Sequence, residues 1–169
     1  MPLMGTAENL QAAFAGESQA NRKYLAFAKK AEADGFTQIA RLFRAAAEAE
    51  TVHAHAHLRA MGQGLDTGEN LKAAVEGEGY EFKHMYPGFI AEAEKEGDKA
   101  ALRSFRHANA VEEIHYDLYS QALESFKGGC DLAAAPIYVC QYCGNTVIGE
   151  VPESCPVCGA KAEAFHEVK

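Results

Sequence analysis

No run of about 18 apolar residues occurs in this 169-residue chain, so the sequence offers no helix able to span a bilayer. Positive charge is scarce: 16 Lys and Arg stand against 24 Asp and Glu, a formal net charge of −8. No basic stripe is visible, which excludes the electrostatic footprint of a nucleic-acid partner. The opening MPLMGTAENL lacks a basic segment followed by an apolar core. No secretion signal is read there, and the cytoplasm is the expected compartment. Cysteine is sparse too, with five in all, and four of them form the pairs Cys140-x-x-Cys143 and Cys155-x-x-Cys158. In a reducing compartment such pairs bind metal far more often than they oxidise. Cys130 falls outside the pattern and reads as a plain thiol near a linker.

What is present is a folded composition, 48% hydrophobic with evenly spread charge, enough for one sizeable domain and a small one. Within alanine-rich helical stretches a glutamate is followed three residues later by a histidine twice, as Glu50-Thr51-Val52-His53 and Glu112-Glu113-Ile114-His115. Residues three apart share a helix face, so each motif aims a carboxylate and an imidazole at one point. One such motif is weak evidence. Two of them, 62 residues apart and each preceded by a helix with a glutamate on an apolar face, form the ligand pattern of a carboxylate-bridged metal pair in a four-helix bundle.

A repeat underlies this pattern. Thr6 to Gly35 matches Thr67 to Gly97: the Glu-Asn-Leu triplets coincide and Glu17 falls on Glu78. After Glu78 the second copy gains one residue, so Tyr24 matches Tyr86. The following helices align Arg41 with Arg103, Phe43 with Phe105, Glu50 with Glu112 and His53 with His115. Each half is thus a helix pair supplying one Glu and one Glu-x-x-His. Helices are expected over about Ala7–Ala33, Thr37–Met61, Asn70–Glu96 and Asp98–Phe126. Phe14, Glu17, Asn21, Tyr24 and Ala28 share the inner face of the first. Phe43, Ala46, Ala47, Glu50, His53, Ala54 and His57 line the second, and Phe105, Ala108, Glu112, His115, Tyr119 and Ala122 the fourth.

The third helix carries Pro87, which would normally kink or end it, just after the inserted residue. An extra residue in a matched helix is how a π-bulge looks in sequence, and such bulges favour functional sites. The inserted register also carries Glu81, which on spacing alone reads equally as a solvated charge. Four unpaired carboxylates at seam positions would be prohibitively destabilising, several kcal/mol each, and two cations resolve this. Carboxylate and imidazole suit iron or manganese. His55, His84, His107 and His166 read as surface positions, and His57 as a supporting or helix-end group.

From Pro136 the chain turns short, Gly- and Pro-rich, with β-formers at Ile137, Tyr138, Val139, Thr146, Val147 and Ile148. So small a segment needs a metal in place of a core. Four thiolates in two turns give a tetrahedral sulfur site for zinc or a single iron. Gly144 and Gly159 follow the second cysteine of each pair, where backbone N–H groups can approach sulfur.

The whole chain resembles the rubrerythrins. The matching stretches are Gly16-Glu17-Ser18-Gln19-Ala20, Ala49-Glu50-Thr51-Val52-His53, Gly77-Glu78-Gly79-Tyr80-Glu81 with Met85-Tyr86-Pro87, and Glu112-Glu113-Ile114-His115. Tyr138 to Gly144 and Cys155-Pro156-Val157-Cys158-Gly159 complete the match. The resemblance implies an all-α ferritin-like four-helix bundle over 1–129 and a small β-rich rubredoxin-like domain over 130–169. It implies two non-haem irons on Glu17, Glu50, His53, Glu78, Glu81, Glu112 and His115, and one iron on Cys140, Cys143, Cys155 and Cys158. Zinc can substitute in both sites. Glu81 would ligate one iron in the oxidised state and His53 would replace it on reduction. Tyr24 and Tyr86 would donate hydrogen bonds to the carboxylates. The implied activity is a peroxidase in oxidative-stress defence that reduces hydrogen peroxide to water. Its electrons would come from a nicotinamide-dependent reductase or a rubredoxin through the cysteine-held iron. The alternatives are a ferroxidase or iron-handling protein, and a structural bundle with a zinc-ribbon contact module.

Ferritin-like bundles need a long crossover between helix pairs. The stretch from about Met61 to Asn70 reaches only about 30 Å at roughly 3.3–3.6 Å per residue. A 25-residue helix is already about 37 Å long. A homodimer that swaps helix pairs is therefore expected, with Glu17, Glu50 and His53 from one chain meeting the remaining ligands of the other. The cysteine module is expected near the other subunit's diiron site.

Overall fold

A computed structural model describes residues 5–169. Its helices are α1 (Thr6–Ala33), α2 (Thr37–Ala60), α3 (Thr67–Tyr80), α4 (Tyr86–Glu96) and α5 (Lys99–Lys127). A π-helical turn, Glu81–Met85, joins α3 to α4 without a break. The third expected helix is this continuous rod, and the inserted residue is absorbed where the sequence placed it. Tyr86 N–H bonds the carbonyl of Glu81, five residues back. Pro87 then sits in the first turn of α4, where a missing N–H is harmless. Asp98 caps α5 by accepting from the amides of Ala100 and Ala101, both at 3.0 Å.

The chain forms two compact units, one ending at Asp66 and one spanning Thr67–Lys169. In the first, α1 and α2 pack closely along a stripe of small residues: Ala28, Ala31, Ala40, Ala47 and Ala54 are buried. Asn21 ties the pair by donating to Ala47 O at 2.7 Å and Thr51 Oγ1 at 2.9 Å. The larger apolar side chains Ile39, Leu42 and Val52 are exposed. Alanine methyls bury little area each, so this hairpin has a contact seam rather than a core.

In the second unit, α3 and α4 pack on α5. Gly79 is buried against the Tyr116 ring, and a Cβ there would lie 3.1 Å from it. Lys83 of the π turn covers the other side of that ring, 4.0 Å from its centroid. The C-terminal segment forms a three-stranded antiparallel sheet in the order β2-β1-β3: β1 is Ile137–Cys140, β2 Thr146–Ile148 and β3 Phe165–Val168. The β-formers at 137–139 and 146–148 sit in strands as expected; β3 was not anticipated. Among the described residues no helix is long and apolar enough to cross a membrane.

The repeat is visible in contacts as well as in sequence. Tyr24, Phe27 and Phe43 cluster with centroids 5.6–6.3 Å apart, and Tyr86, Phe89 and Phe105 repeat the cluster at 5.5–6.3 Å. The ion pair Arg44–Glu32 in the first unit has its equal in Arg106–Glu94 in the second.

Candidate metal centres

Each helix pair gathers one three-residue donor set. Glu17, Glu50 and His53 offer ligand atoms within 4.8 Å of one another in the first unit, and Glu78, Glu112 and His115 do so in the second. The i,i+3 geometry is the same in both: His53 Nδ1 lies 3.0 Å from Glu50 Oε2, and His115 Nδ1 lies 3.0 Å from Glu112 Oε2. His115 Nδ1 is also 3.8 Å from Glu78 Oε2. Helical spacing produces each Glu–His pair, because both side chains leave one face a turn apart, and packing of α3 on α5 adds Glu78.

The environments differ. His115 is part-buried, whereas 55% of the His53 side chain is exposed, although the seam pattern placed it inside. Tyr119, another seam position, is also exposed.

Electrostatics mark the second set as a crowded anionic site. Burial, followed by the Glu112 charge, raises the Glu78 carboxyl above its ordinary value. Glu81, on the first residue of the π turn, is raised by burial and then by the Glu78 charge. Burial, and then the charges of Glu112, Glu81 and Glu78, raise the Tyr86 hydroxyl above its ordinary value. Tyr24 packs against Phe27 and Phe43. Glu78 and Glu81, raised beside the Glu112 charge, form with it a donor set that a multivalent cation satisfies.

The four paired cysteines converge as the spacing requires. Cys140 Sγ lies 3.7 Å from Cys158 Sγ, and Cys143 Sγ lies 3.5 Å from Cys155 Sγ. Those separations are far too long for disulfides and match the edge of a sulfur tetrahedron, about 3.8 Å for metal–sulfur bonds of about 2.3 Å. Gly144 and Gly159 adopt φ of 86° and 75° and close each turn by donating to Cys140 O and Cys155 O at 2.8 Å. The glycine amides thus serve the turns, and the residues after them serve the sulfurs: Asn145 N–H bonds Cys143 and Ala160 N–H bonds Cys158. Asn145 is buried and its side-chain amide reaches Cys155 Sγ at 3.6 Å. Burial pushes the Cys143 thiol up. At Cys155 the same effect is outweighed by the amides of Cys158 and Val157, which bring it down to about 7. The donor set fits a single soft or borderline metal ion.

A family model for rubrerythrin matches residues 8–123 and one for the rubrerythrin rubredoxin-like domain matches 138–166. The chain belongs to the rubrerythrin family. Rubrerythrin-2 of Clostridium acetobutylicum is 35% identical, covering 95% of each chain. Nigerythrin of Nitratidesulfovibrio vulgaris is 37% identical over 95% of this chain and 85% of its own. A nigerythrin structure in a partially reduced state superposes with TM-score 0.59 at 33% identity, covering 99% of this chain and 89% of that one. A fully reduced, all-ferrous nigerythrin gives the same TM-score at 33% identity and the same coverage. This rubrerythrin-family chain therefore carries a carboxylate–histidine diiron site and a rubredoxin-like iron site on Cys140, Cys143, Cys155 and Cys158. It joins a family of oxidoreductases.

Positions set aside from the sites fall as follows. His55, His84 and His166 are exposed, His84 beside the Tyr80 ring. His57 is half-buried near the end of α2. Cys130 is an exposed free thiol. His107, expected at the surface, is half-buried in a groove with Arg103, Gln141, Tyr142 and Cys158. No motif marks Asn145, whose amide reaches Cys155, or Thr146, which joins the cysteine module to His115 of α5; tertiary packing sets both.

Proposed function

We propose that this protein is a peroxidase that reduces hydrogen peroxide to water in a reducing cytoplasm. The observation that carries the reading is the presence in one chain of two Glu-x-x-His donor sets and one four-sulfur site. Glu17, Glu50, His53, Glu78, Glu81, Glu112 and His115 would hold the iron pair. When bound, the pair supplies two electrons to the peroxide O–O bond, and the sulfur-held iron returns them singly from a reductase or a rubredoxin. The chain's own residues do the remaining work. Tyr86 keeps its proton and donates to a carboxylate, fixing that ligand's orientation. Glu81, on the π turn, and His53, in the other donor set, would alternate in holding one iron, matching ligand charge to oxidation state.

Glu17, Glu50 and His53 come from one copy of the chain and the other ligands from a second. Two observations support this homodimer. The α1–α2 hairpin buries only alanines while Leu42 and Val52 stay exposed. Residues 61–66, between α2 and α3, reach only about 20 Å at roughly 3.3 Å per residue, against about 36 Å for α2. A dimer structure with all seven ligands from one chain overturns the exchange.

The activity is tested on anaerobically prepared, iron-loaded protein, reduced and then mixed with peroxide. Return of the red colour of the cysteine site, with two electrons consumed per peroxide, is the expected result. Intact sites whose colour does not return sink the peroxidase. Iron taken up beyond the pair and the single ion would favour a ferroxidase instead.

A further inference from the structure

The imidazole of His115 faces two sites at once. Its Nδ1 points to Glu112 and Glu78, as described above. Its Nε2 lies 2.8 Å from Thr146 Oγ1, at the start of β2 and three residues after Cys143. The same hydroxyl lies 3.2 Å from the carbonyl of Gly144. A carbonyl has no proton to give, so with its proton turned to Gly144 O the Thr146 hydroxyl is free to accept from His115. With a metal on the Nδ1 lone pair, Nε2 would carry the imidazole proton and Thr146 Oγ1 would be its acceptor.

The contact is part of a docked surface. Val111, one turn before His115 on α5, is buried, and Gly144 approaches its Cγ1 so closely that a Cβ would stand 3.8 Å away. The cysteine module thus rests on the α5 donor residues of its own chain.

We propose that Thr146 is a positioning residue of the diiron site, through which the folded cysteine module fixes His115 as an Nδ1 ligand. The inference rests on the ligand assignment above. It has a consequence for assembly. A module this small needs its own metal to fold. Filling the four-sulfur site therefore delivers the Thr146 hydroxyl and raises metal affinity at the carboxylates. Outer partners of ligating histidines are typically worth about 10–100-fold in metal affinity.

The test uses full-length protein with cobalt as the probe, comparing wild type with Thr146→Val and Thr146→Ser. Cobalt affinity at the carboxylates should fall about 10–100-fold in Thr146→Val and recover in Thr146→Ser. The sulfur-to-cobalt absorption should stay unchanged and report a folded module. In zinc-loaded protein, the His115 Nε2–H should be protected from solvent exchange in NMR spectra and lose protection only in Thr146→Val. Unchanged affinity and protection in Thr146→Val overturn the proposal. So does a Thr146→Ser protein as impaired as the valine variant, since packing of the methyl group would then be responsible. A wild-type chain that takes no metal at the carboxylates removes the ligand assignment, and this inference with it.

Discussion

His53 and His115 occupy the same place in two copies of one helix pair, yet the first side chain is 55% exposed and the second 26%. Their glutamate partners sit at the same 3.0 Å. Local helix geometry therefore fixes the donor pair, and what packs on top decides how tightly the imidazole is held. The second copy has three additions: the π turn with Glu81, the Thr146 contact, and a trade of side-chain size. Where the first copy has Ser18 and Ala54, the second has Gly79 packed on Tyr116. One half of the repeat has been built into a fixed wall. The other leaves its imidazole open to whatever the α1–α2 hairpin packs against.

The largest effects should be the symmetric ones. Glu50→Ala and Glu112→Ala should each lower metal affinity of the pair by more than about a hundredfold, because outer partners alone reach that size. Isothermal titration measures this, and a large difference between the two variants would break the equivalence of the halves.

Next comes the size trade. Gly79→Ala forces a methyl group against the Tyr116 ring, a destabilisation of about 1–3 kcal/mol. In a Tyr116→Ala background the same change should stabilise by up to about 1 kcal/mol, from helix propensity alone. Thermal unfolding at fixed protein concentration gives both signs. Additive effects would show that Tyr116 is not what makes glycine necessary.

Glu81 has no counterpart in the first copy, so its removal tests the asymmetry directly. Glu81→Ala should leave both irons bound and slow peroxide turnover at least about tenfold, which is about 1.4 kcal/mol of barrier. Loss of an iron would instead make Glu81 a structural ligand.

The smallest effect is in pH. Glu78 and Glu81 hold protons more tightly in the folded, metal-free chain than when unfolded. Their contribution is therefore most favourable below the ordinary glutamate range and is lost as pH rises through the raised values. Melting temperature of the metal-free protein should fall along that rise, less steeply in Glu78→Gln. Both carboxylates are part-exposed, so solvent keeps the change modest. Identical slopes would refute it.

Much of this was readable from residue order because it is written in spacing. Two Glu-x-x-His motifs at helical period placed both donor sets, and a one-residue offset between Glu78 and Tyr86 located the π turn. The cysteine pairs declared their own geometry. The exposure of His53 was not readable, because an inner face needs something to cover it and the seam pattern cannot say which chain provides it. Thr146 left no signal: its contact with His115 spans 31 residues of sequence between a strand and a helix. Asn145 looked like a turn residue, and only the fold shows its amide turned inward.

That inward amide has an electrochemical consequence. Adding an electron to a four-thiolate iron increases the negative charge on the sulfurs, and the N–H groups aimed at Cys143 and Cys155 stabilise that charge. Losing the side-chain bond in Asn145→Leu should lower the reduction potential by about 1 kcal/mol, roughly 40 mV for one electron. A spectroelectrochemical titration with no shift would deny Asn145 the role. With the bond in place, the cysteine centre is a reservoir that keeps its electron until a stronger oxidant asks for it.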